Sequence, residues 1–340
     1  MKRILCTLLV CFLLAGCAAP AVQAEQKIYE ATFLTLFDTV TVIKGAADSK
    51  EAFQSISQSI HDDLNFYHQL FDIYNDYDGL NNLKTVNDRA GEEPVKVDRR
   101  IIELLLDCKE YYALTGGRVN VAMGNVLNLW HIARDDGINN PANAKLPDDD
   151  KLQKASLHTS LDAVIINEEE STVYISDPDV RLDVGAVAKG WAAQRAAEDA
   201  PKGLLISVGG NVCATGPKDA KGTPWVVGVQ NPSGDNYLHT LYVSGGSIVT
   251  SGDYQRYYTV DGKQYHHIID PDTLYPGNYW RSVTIVCDDS GLADALSTAL
   301  FLLPLEDGQK LLDQSGAEAM WVDADGNQHY SSGFKALIRT

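Results

Sequence analysis

Residues 250–276 read TSGDYQRYYTVDGKQYHHIIDPDTLYP, and the rest of the chain is organised around them. DYQRYYTV and KQYHHIID are two β-prone runs on either side of the tight-turn dipeptide Asp261-Gly262, so the stretch predicts a β-hairpin. Side chains alternate along a strand. Tyr265, His267 and Ile269 therefore share one face of the second run, and His266 and Ile268 share the other. Two adjacent histidines before an Asp-Pro stop put titratable groups at a sheet rim, where sites are built. Taken singly, each histidine also reads as an ordinary surface or core ring.

Moving outward, residues 281–286 predict a strand, 292–303 an apolar helix, 306–314 a closing helix and 319–322 a last strand. Before the hairpin, residues 238–243, 225–230 and 204–207 read as strands, the last followed by the turn Gly209-Gly210-Asn211. Residues 181–194, RLDVGAVAKGWAAQ, read as a strand, a glycine turn and a helix to about Ala200. Residues 161–167 and 172–176 predict strands, and 149–155 a helix. The polar segment 134–150, with Pro141 and Pro147, reads as a linker or long loop, and 118–130 as a mixed run. Asp98 is placed to cap a helix through Tyr112 that stops at Thr115-Gly116-Gly117. Phe53, Ile56, Ile60, Leu64 and Tyr67 recur at helical spacing within 49–74. Residues 70–87 then turn irregular and polar, and 28–44 predict two short strands or one bent strand. This mix predicts an α+β fold of antiparallel sheet with flanking helices.

The chain has 340 residues, 45% of them hydrophobic, enough for one large domain or two moderate ones. Its formal charge of −18 argues against nucleic acid as a partner. It also repels anionic ligands, so a nucleotide site has to be made attractive by a local cation, a helix N-terminus or a metal ion. Lys2 and Arg3 precede an apolar run, residues 4–14, too short to span a bilayer core of ~30 Å. Leu14-Ala15-Gly16-Cys17 resembles a bacterial lipobox. That resemblance implies a signal peptide of residues 1–16, acylation at Cys17 and a lipidated tether of residues 17–27. A membrane anchor on the extracytoplasmic side follows, with residues 28–340 as the domain it carries. An ordinary signal peptide is the other reading. Cys108, Cys213 and Cys287 lie far apart, without zinc-site spacing. They read as small buried residues, with one disulfide open to an extracytoplasmic chain.

Three constellations carry chemistry. In residues 183–190, DVGAVAKG, Gly185 permits close backbone approach, a helix start offers free N–H groups and Lys189 adds a cation. The spacing matches neither a Walker A loop nor a dinucleotide fingerprint. Residues 207–211, SVGGN, form a second glycine turn. In residues 293–298, ADALST, Asp294 and Thr298 stand four apart on one helix face among Ala and Leu. Asp294 reads either as a local cap or as an oxygen ligand suited to Mg²⁺ or Ca²⁺.

In chain order, LDVGAVAKGWA, SVGGN, WVVGVQNP, TSGDY, YHHIIDP and ADALSTALF together resemble the ApbE family of FAD:protein FMN transferases, over residues 38–334. The resemblance implies a T-fold-like α+β architecture. It also implies transfer of FMN from FAD to a Thr or Ser hydroxyl of an extracytoplasmic target flavoprotein, with release of AMP. Mg²⁺ would sit at the carbonyl of Ala186 and the side chains of Asp294 and Thr298. FAD would contact Asp183, Lys189 and the backbone near Ile268. Phe37-Asp38-Thr39 matches the family's Met-Gly-Thr, keeping only Thr39, and places Phe37 at the flavin. Tyr74 matches the family's loop aromatic, and Arg118-Val119-Asn120 the segment where many members carry Phe-Asp, with Asn120 in place of the acid. His267 becomes the general base, a role that suits a near-neutral group beside a hydroxyl nucleophile. Two alternatives use the same residues: an Mg-dependent FAD pyrophosphatase giving FMN and AMP, and a non-catalytic FAD-binding lipoprotein.

Overall fold

The computed structural model describes residues 27–339. The signal peptide, Cys17 and nearly all of the tether lie outside the described residues. Among the described residues, eight strands build the main sheet. Their order is β1 (Lys27–Phe33), β2 (Thr41–Ala47), β6 (Leu204–Val208), β7 (Asn211–Ala214), β10 (Gly246–Gly252), β13 (Ser282–Cys287), β14 (Glu318–Val322) and β15 (Gln328–Tyr330). Every neighbouring pair runs antiparallel. A small sheet joins β3 (Val95–Lys96), β5 (Thr172–Ile175) and β4 (Val164–Asn167). Two hairpins stand apart: β8 (Trp225–Gln230) with β9 (Tyr237–Val243), and β11 (Tyr257–Val260) with β12 (Lys263–His266). The second is the hairpin expected from residues 250–276, and β10 is an additional strand at its start. This is the α+β architecture with antiparallel sheets that the element mix predicts.

The helices are α1 (Lys50–Phe71), α2 (Leu83–Asp88), α3 (Arg99–Leu114), α4 (Gly124–Asn139), α5 (Asp149–Ser156), α6 (Ala188–Asp199), α7 (Ser290–Phe301) and α8 (Leu305–Ser315). Ser49 caps α1 through the Ala52 amide, and its Phe53, Ile60, Leu64 and Tyr67 are buried. Asp98 caps α3 as expected. The central strand β13 has Ser282, Val283, Thr284 and Ile285 all buried, while α7 contributes Leu296, Leu300 and Phe301 without exposure. Each fully buried Val, Ile, Leu or Phe among them stabilises the fold by roughly 1.5–3 kcal/mol. Across the helix layer, Gly190 of α6 lies against the Ser290 carbonyl and Asp294 Cβ, which lets α6 and α7 approach closely.

Several expectations are corrected. The segment read as a mixed run and then a loop, residues 118–150, contains the 16-residue helix α4. Its Asn and Gly content lowers helix propensity, but Val126, Trp130 and Gly137 bury one face, and Trp130 Nε1 donates to the Leu274 carbonyl at 2.9 Å. Residues 181–184 form no strand. A single bridge joins Arg181 to Met123, and the Asp183 amide donates to the Val121 carbonyl. The polar loop 70–87 holds α2, nucleated by a capping box between Asn82 and Thr85. Strand β12 ends at His266, so the alternation drawn through His267 and Ile269 stops there. Cys108, Cys213 and Cys287 are free, the first two buried and the third partly so, as small buried residues. Ser247 pairs with Cys213 on one side and Cys287 on the other, which sets those two about two strand spacings apart, ~9.5 Å. That is beyond disulfide reach.

Candidate active site

Asp294 is 3% exposed on α7. It does not cap the helix, because Asp289 does, accepting from the Leu292 amide at 2.7 Å. Its Oδ2 instead accepts from the Gly190 amide at 2.9 Å and from Lys189 Nζ at 3.4 Å. Lys189 Nζ also reaches the Gly185 carbonyl at 3.4 Å. Helix α6 begins only at Ala188, and the Gly190 amide is turned to Asp294, so the Ala186 carbonyl stands ahead of the helical ladder. Thr298 lies half-buried one turn along α7. A carboxylate, a hydroxyl and a carbonyl are hard oxygen donors, and a buried carboxylate gains from a cation beyond its ammonium partner. The residues present therefore fit Mg²⁺.

Asp183 sits at the start of the adjoining turn, and its Oδ1 accepts the Gly185 amide at 2.8 Å. Burial pushes its carboxyl upward, opposed by that hydrogen bond and by His131, Arg134 and Arg256. Asp183 and Lys189, predicted together, are brought onto the same turn as Ala186.

The two histidines diverge. His266 Nε2 donates to the Gly277 carbonyl at 2.8 Å, its Nδ1 accepts the Ile268 amide at 3.2 Å, and its ring meets Phe301 edge-on. It is a core histidine that holds a turn. The His267 amide donates to the Arg256 carbonyl at 3.1 Å, and its Nδ1 stands 3.3 Å from the same oxygen. With Nδ1–H assigned to that carbonyl, Nε2 keeps a lone pair for proton transfer. Burial, then Arg256, His266, Lys189 and Arg134, push the His267 pKa down to about 3. The ring is thus a neutral acceptor at neutral pH, and a weaker base than the near-neutral group expected from the sequence. Asp270 is held by Arg118 Nη1 at 3.0 Å and accepts the Asp272 amide at 2.8 Å, while Arg118 Nη2 reaches Asp272 at 2.7 Å.

Around this centre the other expected residues fall into two groups. Val119 is buried in the core, and Asn120 bridges the Thr159 carbonyl and the Ala122 amide. Ile268 is buried, with its amide on His266 and its carbonyl accepting from Gly277. These groups hold the frame. Phe37 and Asp38, by contrast, both have φ of 52°, a costly left-handed conformation for two non-glycine residues in succession. Gly209 of the second glycine turn lies against the next residue, Thr39, where a Cβ would stand 2.7 Å from Thr39 Oγ1. In the same turn Asn211 is 2% exposed and its Nδ2 has no partner among the described residues. Tyr74 is 52% exposed, on a loop tied by Asp72. Burial would raise the Asp72 carboxyl, yet hydrogen bonds from Asn75, Tyr74 and Tyr77 hold it below the usual range.

Three residues outside the sequence reading join the site: His131 and Arg134 of α4, and Arg256 of the hairpin. His131 and Arg134 stand i, i+3 directly after Trp130, a visible spacing once that segment is known to be helical. Among the described residues His158, Asp177 and Asp179 also bring metal-ligating atoms within 4.8 Å of one another. They form a partly exposed ion pair on the surface, with His158 raised by its bond to Asp177. A cleft of about 680 Å³, lined by Leu129, Ala133, Asp136 and Lys145, opens on the face of α4 opposite His131 and holds none of the site residues.

The profile of the ApbE family matches residues 35–321. A Treponema pallidum protein named FAD:protein FMN transferase is 34% identical over 277 residues, 76% of this chain and 75% of that protein. One of the same name from Vibrio cholerae is 28% identical over 352 residues, covering 99% of each. The crystal structure of the ApbE protein of Thermotoga maritima superposes with a TM-score of 0.81 and 31% identity, covering 92% of this chain and all of the other. The fold, the six ordered motifs and the matched span agree, and the chain belongs to the ApbE family.

Proposed function

We propose that this chain transfers FMN from FAD to a Thr or Ser hydroxyl of a target protein. The acceptor oxygen bonds to the FMN-side phosphorus, the pyrophosphate P–O bond breaks, and AMP leaves with that oxygen. His267 Nε2 takes the proton of the acceptor hydroxyl. Lys189 and Arg256 face the negative charge that the pyrophosphate brings into an acidic protein. Ala186, Asp294 and Thr298 would hold Mg²⁺, which when bound polarises the phosphoryl oxygens and steadies the leaving charge. The backbone around Ile268, fixed by His266 and Gly277, keeps the base in place. The observation that carries this reading is that Arg134 and Arg256 act on both His267 and Asp183, while Lys189, also acting on His267, holds the buried Asp294 at 3.4 Å.

The lipobox supports a lipid anchor at Cys17 and an extracytoplasmic target. Among the described residues no helix is long and apolar enough to cross a membrane.

The test incubates the purified chain with FAD, Mg²⁺ and an acceptor domain bearing a Thr-containing motif, and reads the intact mass of the acceptor. A gain of one FMN, lost with EDTA and with His267→Ala, is expected. Free FMN and AMP with an unmodified acceptor would make the protein a pyrophosphatase, and intact bound FAD would make it a carrier.

A further inference from the structure

Helix α4 is wedged between the two halves of the site. At its start the Gly124 amide donates to the Arg181 carbonyl at 2.9 Å, and a Cβ on Gly124 would stand 2.6 Å from that oxygen. Along its length Trp130 packs on Tyr265 and Tyr275, and Gly137 meets the Tyr258 ring at the place of its absent Cβ. One end is therefore pinned to the Asp183 turn and one face to the His267 hairpin. Helical spacing then turns His131 onto a different face from Trp130 and Gly137, with Arg134, four residues after Trp130 and three after His131, between the two faces.

On its own face His131 stacks on Tyr74, with ring centroids 5.5 Å apart and planes 27° from parallel. Its Nδ1 receives Arg134 Nη2 at 2.7 Å, and its Nε2 lies 3.1 Å from Asp135. Arg134 is only 17% exposed along its side chain. The loop carrying Tyr74 is fixed from below by four hydrogen bonds to Asp72. The outer side of the Tyr74 ring remains open, on a shelf whose cationic neighbour Arg134 also acts on Asp183 and His267.

Resting on the FAD reading above, we propose that His131 and Arg134 are positioning residues of a third wall of the dinucleotide site. His131 holds the Tyr74 ring flat as a stacking platform for one planar ring system of FAD, and Arg134 turns its guanidinium toward the adjoining phosphates. His131 acts through Tyr74 and Arg134, so its loss weakens FAD binding more than it slows transfer.

The test measures FAD affinity by flavin fluorescence, together with KM and kcat of transfer, for the purified full chain. His131→Ala should weaken FAD binding about tenfold, the worth of one aromatic pair, and raise KM in step, with kcat at saturating FAD changed much less. His131→Phe should recover the share of affinity that the ring supports, because a flat ring again backs Tyr74, and not the share carried by the Arg134 hydrogen bond. Arg134→Gln should weaken FAD by about tenfold or more, as for a hydrogen bond to a charged group. Wild-type affinity in His131→Ala and Arg134→Gln, or equal losses in His131→Ala and His131→Phe, would overturn the wall. Tight FAD binding by the wild type without transfer would sink the transferase reading and leave the wall standing. A wild type that binds no FAD would overturn both.

Discussion

The amide of Gly190 on α6 donates to Oδ2 of Asp294 on α7 at 2.9 Å, and a Cβ added at Gly190 would stand 2.5 Å from Asp294 Cβ. One missing side chain thus sets both the helix spacing and the orientation of the buried carboxylate. Gly190→Ala is expected to lower stability by about 1–3 kcal/mol through overpacking. It should also weaken Mg²⁺ binding, because Asp294 has to move. Thermal unfolding and a Mg²⁺ titration of transfer check the two effects, and an unchanged Mg²⁺ midpoint would separate the carboxylate from the metal.

Asp294→Asn keeps the size and the acceptor for the Gly190 amide but removes the charge. Transfer should fall by about 100-fold or more, since the cation contributes several kcal/mol to stabilising phosphoryl charge. EDTA should reduce the wild type to a similar residual rate and have little further effect on the variant. A variant that keeps full Mg²⁺-stimulated transfer would remove Asp294 from the ligand set.

His267→Ala is expected to slow transfer by about 10²–10⁴-fold as loss of a general base. Burial, Arg256, His266, Lys189 and Arg134 hold the wild-type ring near a pKa of about 3. The acid limb of kcat/KM, which reports the free enzyme, should therefore lie below the ordinary histidine value of about 6.5. The limb of kcat should lie higher, because bound phosphates favour the imidazolium. A free-enzyme limb at the ordinary value would argue against an enclosed ring.

The same shift bears on stability. The folded pKa lies below the unfolded one, so the unfolded chain binds more protons between about pH 3 and 6.5. The contribution of a neutral His267 is complete above that window and is lost as pH falls through it. His267→Gln should flatten the acid side of the stability profile in denaturant unfolding. An unaltered profile would count against the shift.

His266 has the opposite signature. Its replacement by Ala strands the Gly277 carbonyl and the Ile268 amide, at a cost of about 1–3 kcal/mol per unsatisfied group. Melting temperature should fall clearly, while transfer measured well below it falls far less than in His267→Ala. A loss of rate equal to that of His267→Ala, with unchanged melting, would reverse the two roles.

Much of the site was legible because local pattern and local chemistry coincide. Asp183, Lys189, Asp294 and Thr298 stand in short motifs whose turn and helix face can be read from spacing, whereas the alternation drawn through His267 fails because β12 ends at His266. The Asp261-Gly262 hairpin, the cap at Asp98 and the alternation of β2 and β6 are local as well. The lipobox reading of Cys17 also belongs to sequence, since those residues lie outside the described structure. What tertiary structure decided is non-local. Helix α4 forms against weak propensity because Trp130 and Gly137 are buried on the hairpin, and only then do His131 and Arg134 share a face toward Tyr74. Asp294 is a cation-facing carboxylate, not a cap, because Gly190 and Lys189, more than 100 residues away in sequence, complete it. Spacing sets which face of an element a side chain occupies. Only packing sets what that face meets, because the energy of a buried charge or ring depends on neighbours supplied by distant parts of the chain.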